Sequence, residues 1–456
     1  MTNSVNIREL VLDLLLEINE KGTFSHISVG NMLKKYQYLE KSERAFITRV
    51  TEGTMENLIL IDYIIDLYST VKTNKMKPVI KNILRMGVYQ FIYMDSVPNP
   101  AVCNESVKLT IKRGFGQLKG FVNGVLRNIE RNLENIKYPN ASEDLVTYLS
   151  VMYSIPKWIV EQWIYQYGVE EASKMIVSTH DEKRNEYVTV RCNEMKASVE
   201  DIIKILELDN VEVKRNPYCN TGLYIKNFDY ITRLRAFNEG YINVQDTSSM
   251  LAALVASPKE NNYCIDICAA PGGKSLHMCE LMKGSGMVEA RDLTEHKVKL
   301  INDNIARTGT KNIKAMVKDA LIYDPSVCEK ADIVMADLPC SGLGVIGKKS
   351  DIKYNMTPDK QETLIKIQRD ILKNAVKYVK RGGCMVYSTC TTNKKENIEN
   401  MEWLIKEFGF AAQDISDYIP KSLRRDTVKL GYIQLLQGVD ETDGFFICRL
   451  RRSQAY

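Results

Sequence analysis

Residues 263–274 read Tyr-Cys-Ile-Asp-Ile-Cys-Ala-Ala-Pro-Gly-Gly-Lys, and no other stretch restricts the fold as strongly. The first six residues are a short, mostly apolar run, which is how a parallel strand covered on both faces reads. Ala269, Ala270, Gly272 and Gly273 carry almost no side chain, so the chain can turn sharply and a ligand can approach the backbone. A helix over 274–283 then presents its amino end to that ligand. The turn is not a Walker loop, because Cys268 stands where the first glycine is required, and no G-x-G-x-x-G is present.

From residue 241 the pattern alternates. Strands are expected at 263–268, 286–292, 313–319, 331–337 and 383–389, with helices near 274–283, 295–307, 359–380 and 394–408. Such alternation predicts an α/β, Rossmann-like domain with a mostly parallel sheet. These sheets bind ligands at the carboxyl ends of their strands, where this chain places Asp292, Asp319 and Asp337. Asp292 lies about twenty residues beyond the glycine turn, the spacing at which a carboxylate accepts from ribose hydroxyls. Asp319 is placed for the adenine amine, and the turn from Cys268 through Lys274 for the amino-acid end of S-adenosylmethionine. Each aspartate also has a plainer reading as a helix cap or turn former.

Upstream, residues 1–135 carry apolar residues at helical spacing, beginning with Val5, Leu10, Val11, Leu14, Leu15 and Ile18, and nothing there reads as a strand. Ser42 and Glu43 open a long helical pattern, and Ile80, Ile83, Leu84, Val88 and Phe91 mark another. Residues 136–240 change character. Prolines interrupt the periodicity, and short strands near 187–191 and 223–225 flank a helix near 198–206, giving a small α+β connector. The expected organisation is thus an all-α domain over 1–135, the connector over 136–240 and the α/β domain over 241–456. Tyr153 to Trp163 sets aromatics beside Lys157, suited to base stacking or, more simply, to a buried junction.

Of the net charge of +5, all lies in residues 1–140, where 19 Lys and Arg stand against 14 Asp and Glu. Lys108, Lys112, Arg113, Lys119, Arg127 and Arg131 crowd one segment, a candidate phosphate-binding surface. From charge alone, a solvated helix face is the simpler reading. The eleven cysteines show no C-x-x-C pair and histidines number four, so neither disulfides nor a metal site are expected. With no long apolar run and no signal-peptide pattern, the expectation is a cytoplasmic, monomeric protein without a membrane segment.

The chemistry-bearing residues follow two strands. Asp337-Leu338-Pro339-Cys340-Ser341-Gly342 ends one, and Ser388-Thr389-Cys390-Thr391 ends another, which brings two thiols to one edge of the sheet. Cysteines in such strands are often small core residues. Cys390 has a reason to be reactive: Asn393 and Glu396 read as a capping pair for the next helix, and Lys394 and Lys395 are close in sequence, all favouring a thiolate.

The three segments 268–274, 337–342 and 388–391, in this order, resemble the RNA cytosine-5 methyltransferases of the Nol1/Nop2/Sun family. Residues 1–135 are similar to the NusB antitermination factor, and Gln245-Asp246-Thr247-Ser248-Ser249, Asp351-Ile352-Lys353-Tyr354 and Asp443-Gly444-Phe445-Phe446 resemble the bacterial branch that carries such a domain and acts on 16S ribosomal RNA. The resemblance implies that Cys268, Ala269, Ala270, Pro271, Gly272, Gly273, Lys274, Asp292, Asp319 and Asp337 bind or border S-adenosylmethionine. It also implies that Cys390 is the nucleophile, that Cys340 helps release the product, and that Asp337 contacts the cytosine edge. Leu338 and Ser350 depart from residues common in the family, at positions that do not touch the reacting groups. An exocyclic-amine methyltransferase is disfavoured, because Cys340 stands where its stacking aromatic is required. A transfer RNA substrate, or another ribosomal position, stays compatible with the catalytic motifs, and only the NusB-like domain discriminates. A non-catalytic RNA-binding role is opposed by the retained thiol pair.

Overall fold

The computed structural model describes residues 5–181 and 186–454; the first four residues of the expected all-α domain, residues 182–185 of the connector and the last two residues lie outside them. The chain divides into two compact units, residues 1–180 with 346–356, and residues 181–345 with 357–456.

The first unit is helical throughout. Its opening helix, Ile7–Lys21, is capped by Asn6, whose side chain accepts from the backbone N–H groups of Arg8 and Glu9, and it ends at Gly22 in the left-handed conformation (φ 69°). Leu10, Val11, Leu14, Leu15 and Ile18 are buried as their spacing predicts. Each such side chain contributes about 1.5–3 kcal/mol through burial. The helix expected from Ser42 runs over Lys41–Glu56, and its reciprocal cap is made by Glu40 and Glu43. Pro78–Tyr93 buries Ile80, Ile83, Leu84, Val88 and Phe91. The compact unit continues past residue 135 through helices Leu145–Met152, Lys157–Tyr167 and Val169–Val177. Trp163 is fully buried there, whereas Tyr153, edge-on to His180, is only half-buried and the exposed Lys157 donates to the Thr147 hydroxyl.

The basic segment is largely neutralised from within. Lys112 and Arg113 pair with Glu9, Arg113 also with Asp13, Lys108 with Glu105 and Arg127 with Glu130. These pairs support the solvated-face reading for those four side chains.

Residues 346–356 enter this same unit as a plug. Asp351 accepts from Ser25 Oγ at 2.6 Å, Lys353 Nζ donates to Glu56 O at 3.0 Å, and the Tyr354 hydroxyl lies 3.3 Å from Glu56 O and 3.2 Å from Ser154 O.

The second unit begins with a four-stranded antiparallel sheet in the order β2-β3-β1-β4, formed by β1 (Val188–Cys192), β2 (Glu212–Arg215), β3 (Gly222–Lys226) and β4 (Ile242–Val244). The helix Val199–Leu208 covers it, with Ser198 as cap. The second sheet has eight strands. Its parallel part is β7-β6-β5-β8-β9, built from β5 (Tyr263–Asp266), β6 (Met287–Asp292), β7 (Ile313–Val317), β8 (Ala331–Asp337) and β9 (Val379–Thr389). Three strands were not legible in the sequence: β10 (Phe410–Ala412), β11 (Tyr432–Leu435) and β12 (Phe445–Arg452), which extend the sheet antiparallel beyond β9. Helices Gly273–Leu281, Glu295–Thr308 and Pro358–Tyr378 fall close to their expected positions. Among the described residues, no helix is long and apolar enough to cross a membrane.

Candidate active site

The reversal of strand order in this sheet lies at β5, whose neighbours are β6 on one side and β8 on the other. A crevice therefore opens above the carboxyl end of β5, where the turn 268–274 begins. Gly272 has φ 105°, a conformation that only glycine adopts without strain, and its position lets the helix Gly273–Leu281 start directly beneath the crevice. The cavity there measures about 190 Å³ and is lined by the turn together with Gln245, Asp246, Asp266 and Asp337. A larger cavity of about 370 Å³ lies elsewhere, beside Lys196, Glu280 and Asn312, and contains none of the motif residues. Two of its lysines are engaged, Lys196 by Glu239 O and Lys283 by Glu260.

Three carboxylates at strand ends behave differently. Asp292 is buried and shapes the turn itself: its Oδ2 accepts from Ala270 N at 2.9 Å, its Oδ1 from Leu293 N at 2.8 Å, and Lys297 stands 3.1 Å away. Asp319 Oδ1 accepts from Leu321 N at 2.9 Å, which is turn-forming geometry, and Asp319 is absent from the cavity lining. Asp337 is held from both sides, by Lys274 Nζ on Oδ2 at 2.7 Å and by Ser388 Oγ on Oδ1 at 2.7 Å. Lys274 is kept charged there. Burial, the largest single influence, works against its ammonium, but the Asp337 carboxylate, with Asp266 and Cys390 adding to it, raises its pKa on balance.

The fourth carboxylate, Asp266, was not singled out from the sequence, although an acidic residue inside an apolar strand is itself a signal. It is fully buried, accepts from Ser275 Oγ at 2.6 Å, and leaves Oδ1 without a partner. Burial pushes its pKa up to about 7. A cationic group entering the cavity would favour its ionised form, so the site suits a ligand carrying an ammonium.

The two thiols meet. Cys340 Sγ lies 3.4 Å from Cys390 Sγ, with both residues partly accessible. The hydrogen bond to Cys390 and then burial raise the Cys340 pKa, and the Glu396 carboxylate adds to the effect. Cys340 is therefore kept as a thiol, and either sulfur can donate across the contact. The Cys340 segment is fastened to the Cys390 segment by Gly344 N donating to Cys390 O at 3.1 Å, and Gly444 N donates to Gly344 O at 2.9 Å. A Cβ on Gly344 would lie 1.9 Å from Gly444 O, so this approach requires glycine.

The surroundings of Cys390 correct one expectation. Asn393 and Glu396 do not open a helix; they frame the three-residue turn Lys394–Glu396, and the helix begins only at Ile398. The dipole argument for a thiolate loses its basis, because a single turn has few aligned peptides. Lys395 points to Glu362 instead. One ammonium whose pKa Cys390 raises is Lys274, brought from the other side of the crevice by the glycine turn. Among the described residues, no group of three or more His, Cys, Asp or Glu is placed to hold a metal ion.

Comparison with known proteins gives a consistent pattern. Residues 253–451 match the family described as 16S rRNA methyltransferase RsmB/F, residues 5–131 match the NusB family, and residues 155–231 match the ferredoxin-like domain of RsmF/B-like methyltransferases. The chain is 35% identical to the probable ribosomal RNA small subunit methyltransferase B of Bacillus subtilis, covering 98% of this chain and 99% of that one. It is 26% identical to ribosomal RNA small subunit methyltransferase B of Proteus mirabilis, over 88% of this chain and 92% of the relative. Among solved structures, PH0851 superimposes with a TM-score of 0.81 at 28% identity, covering 98% of this chain and 99% of that one. NSun6 from Pyrococcus horikoshii, solved with SFG, gives 0.59 at 25% identity over 66% of this chain and 99% of its own.

Proposed function

From the premise that this chain belongs to the RsmB/F family of bacterial small-subunit ribosomal RNA methyltransferases, we propose that it transfers a methyl group from S-adenosylmethionine to carbon 5 of a cytosine in 16S ribosomal RNA through a covalent cysteine adduct. The observation that carries the reading is the 3.4 Å thiol pair at the carboxyl ends of β8 and β9, beside an Asp337–Lys274 ion pair.

The cofactor fits the residues present. Asp266, with its orphaned oxygen, supplies a counter-charge for the amino-acid ammonium, the turn 268–274 lies against the same end, and Asp292 offers its remaining lone pairs to the ribose. Asp319 sits one strand further out, and its share in holding adenine belongs to the same proposal.

Carbon 5 of cytosine is too poor a nucleophile to take a methyl group directly. Addition of the Cys390 sulfur to carbon 6 turns the ring into an enamine, whose carbon 5 attacks the methyl that the bound cofactor supplies. Asp337 faces the cytosine edge and favours protonation at nitrogen 3. Loss of the carbon 5 proton then expels the Cys390 thiolate and restores the aromatic ring. Cys340, held as a thiol 3.4 Å away, is placed to exchange a proton with the departing sulfur. In this scheme residues 1–135 recruit RNA, 136–240 connect, and 241–456 carry the reaction.

The two cysteines give the test. Cys390→Ala should lose turnover and all covalent adduct, because no enamine forms. Cys340→Ala should accumulate a protein–RNA adduct that survives denaturing gel electrophoresis and is absent from the double variant. An active Cys340→Ala enzyme without trapped RNA would show that Cys340 is only a packed side chain. An adduct in Cys390→Ala but not in Cys340→Ala would reverse the roles.

A further inference from the structure

Between the two thiol-bearing loops lies a carboxylate that no step above uses. Glu396 is fully buried, and four neutral donors converge on it. Its Oε2 accepts from Ser341 N at 2.9 Å and Gln368 Nε2 at 3.0 Å; its Oε1 accepts from Ser341 Oγ at 2.5 Å and Asn393 Nδ2 at 3.2 Å. Gln368 Nε2 also donates to Pro339 O at 3.0 Å. The Ser341 hydroxyl spends its one proton on Glu396, so the Thr391 hydroxyl, 2.7 Å away, donates to Ser341 Oγ. Ser341 follows Cys340, Thr391 follows Cys390, and the carboxylate ties the backbone of the first loop to the side chains of the second.

The charge is costly where it sits. Burial raises the Glu396 pKa in spite of the four hydrogen bonds, and no cation is among the leading influences on it. A carboxylate kept under those conditions fixes geometry, since only a group accepting on both oxygens satisfies Ser341 N, Ser341 Oγ, Gln368 and Asn393 at once. The backbone around it is held in turn: Tyr387 donates its hydroxyl to Glu396 O, and Asn400 Nδ2 bridges to Gln368 Oε1 at 3.0 Å.

We propose that Glu396 is a positioning residue for the reaction: through Ser341 and Thr391 it clamps the Cys340 and Cys390 loops together and sets the spacing of their sulfur atoms. The inference rests on the cytosine-5 reading for its catalytic consequence, but the clamp itself is measurable without RNA. A displacement of one reacting thiol by about 1 Å costs on the order of 100-fold in rate.

The test uses the full chain in a Cys328→Ser background, because Cys328 is an exposed thiol. Diamide, a two-electron oxidant, adds to one thiolate to give a sulfenylhydrazine, and attack of the second thiol on that sulfur releases the hydrazine and forms the disulfide; at saturating diamide this second step is set by how often the two sulfurs meet. The Cys340–Cys390 cross-link is followed by peptide mass, alongside kcat on 16S RNA and the dissociation constant for S-adenosylmethionine. Glu396→Gln, which keeps shape but turns an acceptor into a donor, should slow cross-linking and lower kcat by about 100-fold, with cofactor affinity unchanged within about twofold. Ser341→Ala, which keeps the buried charge and most of the network, should move both rates in the same direction by less and covers the case in which Glu396→Gln fails to fold. Wild-type cross-linking and kcat in both variants would overturn the clamp, as would a parallel loss of cofactor binding, which marks a general packing role. A slowed cross-link in variants of a wild-type protein that methylates no cytosine supports the clamp and rejects the reaction assigned above.

Discussion

Lys274 and Lys353 are both enclosed lysines with opposite fates. In the second unit, Lys274 Nζ lies 2.7 Å from the Asp337 carboxylate and 5.4 Å from the centre of the Phe445 ring, and its pKa rises despite burial. In the first unit, Lys353 is 1% exposed and donates to one backbone carbonyl, that of Glu56; burial takes its pKa down to about 7. The Glu56 carboxylate acts in the other direction without overcoming burial. A backbone oxygen satisfies a hydrogen bond but does not replace the hydration of a full charge; a carboxylate at contact does. The first lysine is therefore a fixed cation at the reaction crevice, and the second is a group whose charge opposes folding.

The largest effect is expected at the paired lysine. Lys274→Met leaves Asp337 in the crevice with Ser388 as its one side-chain donor among the described residues. Removing one partner of a buried pair costs about 3–5 kcal/mol, and the Asp337 side chain is 27% exposed, so about 2–3 kcal/mol is expected here. The rate should fall at least about 100-fold if Asp337 holds the cytosine edge as proposed, because that carboxylate loses its charge partner. Urea unfolding and single-turnover methylation measure the two losses. Retention of wild-type turnover would show that the ion pair is ornamental to the chemistry.

Lys353→Met should do the reverse. The folded pKa, about 7, lies below the unfolded value, so between pH 7 and about 10.4 the unfolded chain binds more protons and stability rises with pH. Below pH 7 the full penalty applies. The variant should therefore be more stable than wild type near neutrality, by about 2–5 kcal/mol, and should lack the wild-type rise between pH 7 and 10. In a Trp403→Phe background the remaining tryptophans, Trp158 and Trp163, report the first unit alone. Equal pH slopes for the two proteins would mean that Lys353 is charged in the folded state.

How much of this was visible in the sequence follows from distance along the chain. The turn 268–274 and the strand-end aspartates are local patterns, and the structure places Asp292 against the turn and Asp337 in the crevice. Asp319 is local too; in the structure its Oδ1 accepts from Leu321 N, a turn-forming contact that is compatible with both of its readings. Glu396 was misread as a cap because its partners Ser341 and Gln368 lie 55 and 28 residues away, beyond any periodicity. Residues 346–356 carry nothing in their composition that announces membership of the helical unit, because the contacts of Asp351, Lys353 and Tyr354 are with residues 25, 56 and 154. The strand β12 escaped notice because Arg449, Arg451 and Arg452 resemble a solvated tail, whereas Arg449 donates to Val255 O and Ala256 O.

A third lysine sharpens the comparison from the weak side. Lys297 lies 3.1 Å from Asp292, but its side chain is 53% exposed while Asp292 is 4% exposed. Solvent screens such a pair, so Lys297→Ala should change stability and cofactor affinity by less than about 1 kcal/mol. Asp292→Ala removes the side-chain acceptors of Ala270 N in the turn and of Leu293 N, as well as the lone pairs assigned to the ribose, and should weaken binding by about 1.5–3 kcal/mol. Titration calorimetry with S-adenosylmethionine on both variants decides whether the carboxylate works through its partner or alone. Equal losses would mean that the exposed ammonium of Lys297 matters as much as the buried carboxylate of Asp292, and the rule drawn from Lys274 and Lys353 would fail at the site where it is easiest to check. Unchanged affinity in Asp292→Ala would instead remove the ribose from this strand end. A small change at Lys297 beside a large one at Asp292 would leave contact between a carboxylate and an enclosed ammonium, rather than proximity of opposite charges, as what sets the charge state in this protein.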